Sequence, residues 1–163
     1  MTSARPKVLP AAAGRPILHY VLDLCQELGA PTVVVVGHQA QAVRDACASR
    51  PALSFATQEP QLGTGHAVQV ALAEIPAEEG LAVLVLAGDV PLLRAETLRA
   101  LCALRERSGA AAALVSFNTP APAAYGRVLR DARGRVAGIV AHRVVPRVGA
   151  EAAVGVLGDS GVG

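Results

Sequence analysis

The stretch at residues 32–36, a threonine followed by four valines, constrains the fold more than any other part of the chain. It is continuously β-branched, and it lies between Pro31 and Gly37 with no alternation of polar and apolar side chains. A strand with this pattern is buried on both faces, as the strands of a parallel sheet are. The stretch therefore predicts a sheet that is covered by helices.

Helical periodicity alternates with further strand-like runs along the chain. Apolar residues at three- and four-residue steps predict a helix over 17–28, and further helices are expected over 40–48, 66–73 and 95–107. Strands are expected at 53–56, 81–87 and 110–117. Strands that alternate with helices indicate an open α/β fold with a mainly parallel sheet and helices on both faces.

The two ends of the chain give different patterns. Residues 1–13 show no clear period and predict an irregular lead-in. Residues 128–130 and 136–140 alternate around a turn in which Gly134 can take a positive φ, so we expect a β-hairpin that could act as a flap. The residues after Arg143 are rich in Val, Gly and Ala without a helical or strand period, which is typical of a flexible tail or of a truncated or frame-shifted end.

Composition excludes several classes of function. With 163 residues, of which 52% are hydrophobic, the chain is long enough for one domain with a sizeable core. It has two Phe, two Tyr and no Trp, so it offers no aromatic platform for stacked bases. The formal charge of +2 and the scattered arginines argue further against a nucleic-acid partner.

The cysteines and the apolar runs indicate a reduced, aqueous compartment. Cys25, Cys47 and Cys102 are odd in number and far apart, so they suggest neither a disulfide framework nor a zinc site. The longest purely apolar run, residues 81–87, is far too short to span a membrane, and no signal-peptide pattern opens the chain. The sequence therefore predicts a cytoplasmic protein with no membrane partner, and it gives no indication of an oligomeric state.

A loop that could contact a ligand follows the strand at 53–56. In it Gly63 and Gly65 flank Thr64, so backbone N–H groups at the start of the next helix are accessible. The alternative is an ordinary tight turn capped by Thr64, and spacing alone favours it. His66 lies in the first helical turn, where a histidine is more often packed or capping, and we do not assign it to the site.

Asp89 comes directly after the run at 81–87, on the loop where open α/β sheets present ligand groups. A carboxylate buried there would cost several kcal/mol unless it were paired, hydrogen-bonded or bound to a metal. The alternative is that Asp89 caps a helix or a turn, since the Pro91 that follows is ordinary turn chemistry.

Residues 61–67 resemble, over seven consecutive positions, the uracil-binding loop of the N-acetylglucosamine-1-phosphate uridyltransferases, which form the N-terminal domain of the bifunctional GlmU proteins. The resemblance continues in the family's order over residues 5–143. It is carried by the segments 6–9 (PKVL), 13–16 (AGRP), 88–92 (GDVPL), 125–127 (YGR) and 138–140 (GIV). It implies a Rossmann-like, glycosyltransferase-A-like nucleotidyltransferase fold.

The resemblance also implies a reaction and a set of site residues. Enzymes of this kind join UTP to N-acetylglucosamine 1-phosphate, a step in making cell-wall precursors, and release pyrophosphate with the help of Mg²⁺. By position, Lys7 would neutralise phosphate charge, and Asp89 would bind Mg²⁺. The remaining positions would contact substrate: Gln58, Gly63 and Thr64 for uracil and ribose, Gly88 for the nucleotide, and Gly126 for the sugar phosphate.

Three elements of the family pattern are absent from the sequence. These are the first strand with its glycine-rich loop, a sugar-binding glutamate whose position is Ala141, and later asparagines, one of which binds the second Mg²⁺. We therefore expect an incomplete nucleotidyltransferase domain over 1–143 with impaired activity, and a tail of unknown structure over 144–163. The alternatives are a noncatalytic nucleotide-binding remnant or partner subunit, and a related cytidylyl or sugar-phosphate nucleotidyltransferase.

Overall fold

The structure, a computed structural model, describes residues 6–76, 81–120 and 125–140 together with the backbone of 151–159. It contains four helices and nine strands in these parts of the chain. In order they are β1 (Ala11–Ala12), β2 (Arg15–Pro16), α1 (Ile17–Glu27), β3 (Thr32–Val36), α2 (Ala40–Ala46), β4 (Leu53–Thr57), α3 (Thr64–Leu72), β5 (Ala82–Val85), α4 (Ala95–Ser108), β6 (Ala112–Asn118), β7 (Arg127–Arg130), β8 (Val136–Val140) and β9 (Glu151–Asp159).

The predicted α/β nucleotidyltransferase fold class is confirmed, and the described strands pair both in parallel and antiparallel. Among the described strands only β3 and β4 pair in parallel, with Thr32 opposite Leu53 and Val36 opposite Thr57. The second sheet has five strands, in which β9 pairs with β5, β6 and β7, and β7 pairs with β8, every pair being antiparallel. Since β5 and β6 both run antiparallel to β9, they run in the same direction, and β9 separates them.

The interpretation of the C-terminal end as lacking regular structure is wrong for β9. This strand lies between β5 and β6 and pairs with β6 along its length, with a register shift between Leu114 and Val115. Gly155 and Gly158 lower its intrinsic strand propensity, and its partners lie far away in the sequence. Pairing with two existing strands, rather than a local pattern, therefore fixes its conformation.

The hairpin predicted over residues 128–130 and 136–140 is confirmed as β7 and β8. Gly134 takes φ +76°, and its N–H donates to the carbonyl of Asp131 at 2.9 Å. The Asp131 carboxylate accepts the N–H groups of Arg133 and Arg135, each at 2.9 Å. These hydrogen bonds lower the pKa of Asp131 below its ordinary value, the one from Arg135 having the largest effect. A role for this hairpin as a flap stays a prediction.

Helix α1 connects two apolar clusters. Leu18 and Leu22 pack with Val36, Val43 and Cys47, while Leu24 packs with Ala95 and Leu98 and against the partly buried Leu84 and Leu86. Burial raises the pKa of the Cys47 thiol, and none of the three cysteines forms a disulfide. One helix therefore holds the two sheets together, because the first cluster includes β3 and the second adjoins β5.

Each sheet has an edge beside the region that α1 covers. Within the described residues, β3 pairs only with β4 and β5 pairs only with β9, so neither strand is hydrogen-bonded to the other. The N–H and C=O groups along these edges must reach water or another strand. In the same described part of the chain, no helix is long and apolar enough to cross a membrane.

Asp23 links α1 to the segments on either side of it. Its carboxylate accepts hydrogen bonds from Arg15 at 2.6 Å and from Arg50 at 2.5 Å. Partial burial raises the pKa of Asp23, but the hydrogen bonds from Arg50 and Arg15 together lower it further, so the pKa lies below its ordinary value. A group of this kind stabilises the fold above its unfolded pKa, and the contribution disappears as the pH falls through the folded pKa.

We therefore expect Asp23→Asn to lower the free energy of unfolding by about 1 kcal/mol at pH 7, a small value because the carboxylate is partly exposed. The difference between wild type and variant should begin to shrink as the pH falls below about 4, the ordinary pKa of an aspartate, and should disappear below the lowered pKa of the folded state, where the native carboxylate is protonated as well. Urea unfolding of wild type and variant, at pH 7 and again well below about pH 4, measures this difference. Asp45→Asn on α2, whose described partner is Gln41 rather than an arginine, is the matched control. An equal loss at both pH values would show that the charge on Asp23 is irrelevant.

Candidate nucleotide site

Gln58 lies one residue beyond the carboxyl end of β4 and is the best-defined polar group in the candidate site. Its backbone N–H donates to the carbonyl of Val36 at 2.7 Å, which continues the β3–β4 ladder for one more step. The residue is only 9% exposed. A buried polar side chain on a backbone fixed in this way has few rotamers available, so its amide is held in one place.

The Gln58 amide is bonded within the glycine-containing loop. Its Nε2 donates to the carbonyl oxygen of Gly63 at 2.8 Å and lies 3.3 Å from Nδ1 of His66. Gly63 has φ +106° and ψ −176°, a conformation that is essentially restricted to glycine. The unusual backbone at Gly63 therefore turns its carbonyl toward the Gln58 side chain.

The start of α3 does not have the structure that a threonine cap would give. Gly63, which has no side chain, occupies the N-cap position, while Thr64 is the first helical residue and is exposed. The carbonyl of Gly63 accepts the N–H of Ala67 at 3.1 Å and so begins the helix. The Gln58 amide thus contacts the N-cap residue of α3, and Thr64 is exposed at this helix end, which attracts polar or anionic groups.

Gly37 and His66 also lie in the candidate site around Gln58, although neither was predicted from the sequence to be a functional residue. A Cβ atom at Gly37 would lie 1.8 Å from Nε2 of Gln61, so the Gln61 side chain occupies the space beside Gly37. The signal for Gly37 was its position directly after the β-branched strand. His66 could have been noticed because it lies eight residues from Gln58 across a loop that folds back.

Lys7, Gly88 and Asp89 form a second group of residues. A Cβ at Gly88 would lie 3.2 Å from Cγ1 of Val8 and 3.3 Å from Cδ1 of Leu18, so the chain after β5 packs closely on the segment that carries Lys7. Lys7 and Asp89, the neighbours of Val8 and Gly88, are both exposed. A cation and a carboxylate therefore lie next in sequence to the two residues of this close contact.

Asp89 lies exposed in the turn after β5, which corrects the assumption that it is a buried carboxylate whose desolvation requires a partner. Burial therefore gives no reason to place a metal there. The residue does fit Mg²⁺ in another way, because Mg²⁺ is often held by one or two carboxylates, phosphate oxygens and water rather than by an all-protein cage. Consistent with this, no cluster of three or more metal-ligating side chains occurs among the described residues.

The group around Gln58 and the group around Asp89 are connected by the first apolar cluster. Val8 and Leu9 pack against the cluster that contains Val36, and the Val36 carbonyl accepts the backbone N–H of Gln58.

Gly126 lies apart from both groups, at the start of β7, where an added Cβ would lie 3.2 Å from Cγ2 of Ile139. Among the described residues, no contact joins Gly126 to the other predicted site residues, and its contact with the sugar phosphate stays a prediction.

The sequence matches a known family of domains and several curated relatives. The profile of the MobA-like NTP transferase domain matches residues 1–151. The bifunctional protein GlmU of Anaeromyxobacter sp. (strain K) is 50% identical over 147 residues, which are 88% of this chain and 30% of the relative. GlmU of Paraburkholderia phytofirmans is 50% identical over 146 residues, or 88% of this chain and 31% of the relative. The chain thus spans about a third of the length of these relatives.

Solved structures share the fold at low sequence identity. HddC from Yersinia pseudotuberculosis has a TM-score of 0.65 and 16% identity, covering 98% of this chain and 70% of its own. CMP:2-keto-3-deoxy-manno-octonic acid synthetase, solved in complex with CTP, has a TM-score of 0.70 and 17% identity, covering 97% and 70%. At this identity the likeness concerns the fold.

Proposed function

Because the chain belongs to the family of MobA-like NTP transferase domains, we propose that it binds UTP and transfers its uridylyl group to N-acetylglucosamine 1-phosphate. The observation that carries the proposal is the Gln58 amide, which lies just beyond the end of β4 and donates to the Gly63 carbonyl of the glycine-containing loop. The similarity to GlmU proteins at 50% identity supports the choice of UTP and of this sugar phosphate. The products are UDP-N-acetylglucosamine and pyrophosphate.

The reaction asks the protein for positioning and charge neutralisation. A phosphate oxygen of the sugar phosphate attacks the α-phosphorus of UTP, a new P–O bond forms, and the bond to the β-phosphate oxygen breaks as pyrophosphate leaves. Lys7 offsets negative charge on the phosphates, and the loop with Gln58, Gly63 and Thr64 holds the base and ribose. When bound at Asp89, Mg²⁺ supplies further charge neutralisation to the phosphate oxygens.

Turnover by these 163 residues alone is expected to be low. The family pattern includes a glycine-rich loop that surrounds the triphosphate, and residues 8–15 match it only faintly. Without that backbone cradle, Lys7 and one Mg²⁺ would carry the charge neutralisation. A second candidate function is nucleotide binding without turnover, because the base-binding loop of the family pattern is intact in the sequence whereas the glycine-rich loop is not.

Asp89→Ala tests the phosphate end of the site. We expect the variant to lose most of the gain in UTP affinity that Mg²⁺ gives the wild type, a difference of about 1 to 3 kcal/mol for one charge-assisted contact. Calorimetric titration of UTP with and without Mg²⁺ measures this. Glu106→Ala, which removes an exposed carboxylate from the last turn of α4, changes the net charge equally and should behave as wild type. Equal Mg²⁺ dependence in wild type and Asp89→Ala would remove Asp89 from the metal site.

A further inference from the structure

Strand β9 relates the start of β7 to the carboxyl end of β5. Because β6 pairs along one edge of β9, β5 and β7 both pair on the other edge, with Val85 opposite Val156 and Arg127 opposite Ala152. Both strands run antiparallel to β9 and therefore in the same direction. The carboxyl end of β5 thus points toward the start of β7, at a separation of four residues along β9, or about 13 Å.

Two segments that carry predicted site residues lie at this gap in the edge. Gly88 and Asp89 form the turn after β5, and Tyr125 and Gly126 immediately precede β7. A ligand that reaches from Asp89 to Gly126 therefore crosses the gap. Tyr125 is an aromatic side chain at the far end of it.

The ring of Tyr125 is held in place. It packs on Phe117 with the two ring centroids 5.1 Å apart and the ring planes at 88°. The Tyr125 carbonyl accepts a hydrogen bond from the guanidinium of Arg127, a residue that is only 2% exposed. At Gly126 an added Cβ would lie 3.2 Å from Cγ2 of Ile139, so the backbone beside the ring packs closely on β8. Backbone and ring contacts therefore fix the orientation of Tyr125.

One face of this ring is available to a ligand. In a T-shaped pair the edge of one ring meets the face of the other, so Phe117 covers at most one face of Tyr125. Tyr125 accordingly remains 50% exposed. An aromatic ring that is already ordered loses little conformational entropy when a ligand packs on it, and small-molecule sites are commonly lined by such rings.

We propose that the exposed face of Tyr125 packs on the sugar ring of the acceptor and so favours a pyranose phosphate over a phosphate without a sugar. The inference rests on the proposed function and adds a binding residue to its sugar end. The face of an aromatic ring is electron-rich, whereas the C–H groups on the face of a pyranose carry a slight positive charge. Contact between the two faces also removes apolar surface from water.

Tyr125→Leu and Tyr125→Phe test the proposal through the product of the reaction. UDP-N-acetylglucosamine carries the sugar and UDP does not, so the dissociation constant of UDP divided by that of UDP-N-acetylglucosamine isolates the contribution of the sugar. This ratio should fall roughly three- to tenfold in Tyr125→Leu, as expected for one aromatic contact, while UDP itself binds as to wild type. A merely structural role would weaken both ligands alike. Tyr125→Phe keeps the ring and should keep the ratio. Calorimetric titration of the full chain with Mg²⁺ measures both constants.

Tyrosine fluorescence gives a second readout, because the chain has two Tyr and no Trp. In Tyr20→Phe, which changes a residue of α1 whose hydroxyl donates to the Ala12 carbonyl, Tyr125 is the remaining tyrosine. UDP-N-acetylglucosamine should change its emission beyond the change that UDP causes at the same concentration, since UDP accounts for absorption by uracil. Emission that is the same with both ligands would contradict the contact.

The outcomes separate this inference from the proposed function. If the wild type binds UDP-N-acetylglucosamine more tightly than UDP, and Tyr125→Leu keeps the same ratio while thermal melting shows it folded, the role of Tyr125 is wrong and the proposed function stands. If Tyr125→Phe loses as much as Tyr125→Leu, the hydroxyl rather than the ring face binds the sugar, and the inference is again wrong. If the wild type binds neither ligand, or gains nothing from the sugar, the proposed function itself fails.

Discussion

Extending the chain at its N-terminus by the family's first strand and glycine-rich loop is expected to raise the melting temperature by roughly 5 to 10 °C. The reason lies in the two unshared sheet edges, since β3 pairs only with β4 and β5 only with β9 within the described residues. An added strand that pairs with both edges would gain hydrogen bonds on both sides, a net stabilisation of about 2 to 3 kcal/mol after the entropy of ordering the added residues. It would also join the two clusters that α1 now connects.

The same extension is expected to raise pyrophosphate release from UTP and N-acetylglucosamine 1-phosphate by several orders of magnitude, as expected when positioned donors meet charge developing on a phosphoryl group. A control extension of equal length, with its strand residues replaced by Gly and Ser, should change neither property. Differential scanning calorimetry and a coupled pyrophosphate assay give the two readouts. If the 163-residue chain alone turns over at the extended rate, the added loop is not needed for catalysis, and the expectation of low turnover is wrong.

Leu98→Ala is expected to cost about 3 kcal/mol of unfolding free energy, the usual range for a buried leucine being 2 to 5. Leu98 is 1% exposed and packs with Leu24 and Ala95, so its removal opens a cavity in the second cluster. Leu104→Ala, on the same helix but at a position 53% exposed, is the matched control and should cost less than about 1 kcal/mol. Urea denaturation measures both. Similar losses in the two variants would mean that the second cluster does not stabilise α4.

The elements that have their own periodicity could be predicted from the sequence. The valine run at β3, the apolar stripe of α1 and the turn at Gly134 each carry a local signal, and all three occur as expected. Strand β9 carries no such signal because its glycines weaken it locally and its partners are distant in the sequence.

In the candidate site, too, some residues could be predicted from the sequence and others could not. Gln58, Gly63 and Thr64 could be chosen from their loop and its resemblance to a family, and the structure brings them together at the start of α3. The exposure of Asp89 could not be foreseen, since it depends on how the turn after β5 packs on Val8. His66 was left out because a first-turn histidine has no distinctive pattern, and only the folded loop shows it beside the Gln58 amide.

Calorimetric titration of the unextended wild-type chain with UTP and, separately, with CTP in the presence of Mg²⁺ tests the central claim most directly, because it does not depend on turnover. UTP is expected to bind at least about tenfold more tightly, because N3 of uracil carries a hydrogen that can be donated to the Gln58 oxygen, whereas N3 of cytosine is an acceptor. Equal affinity for the two nucleotides, or a preference for CTP, would contradict it.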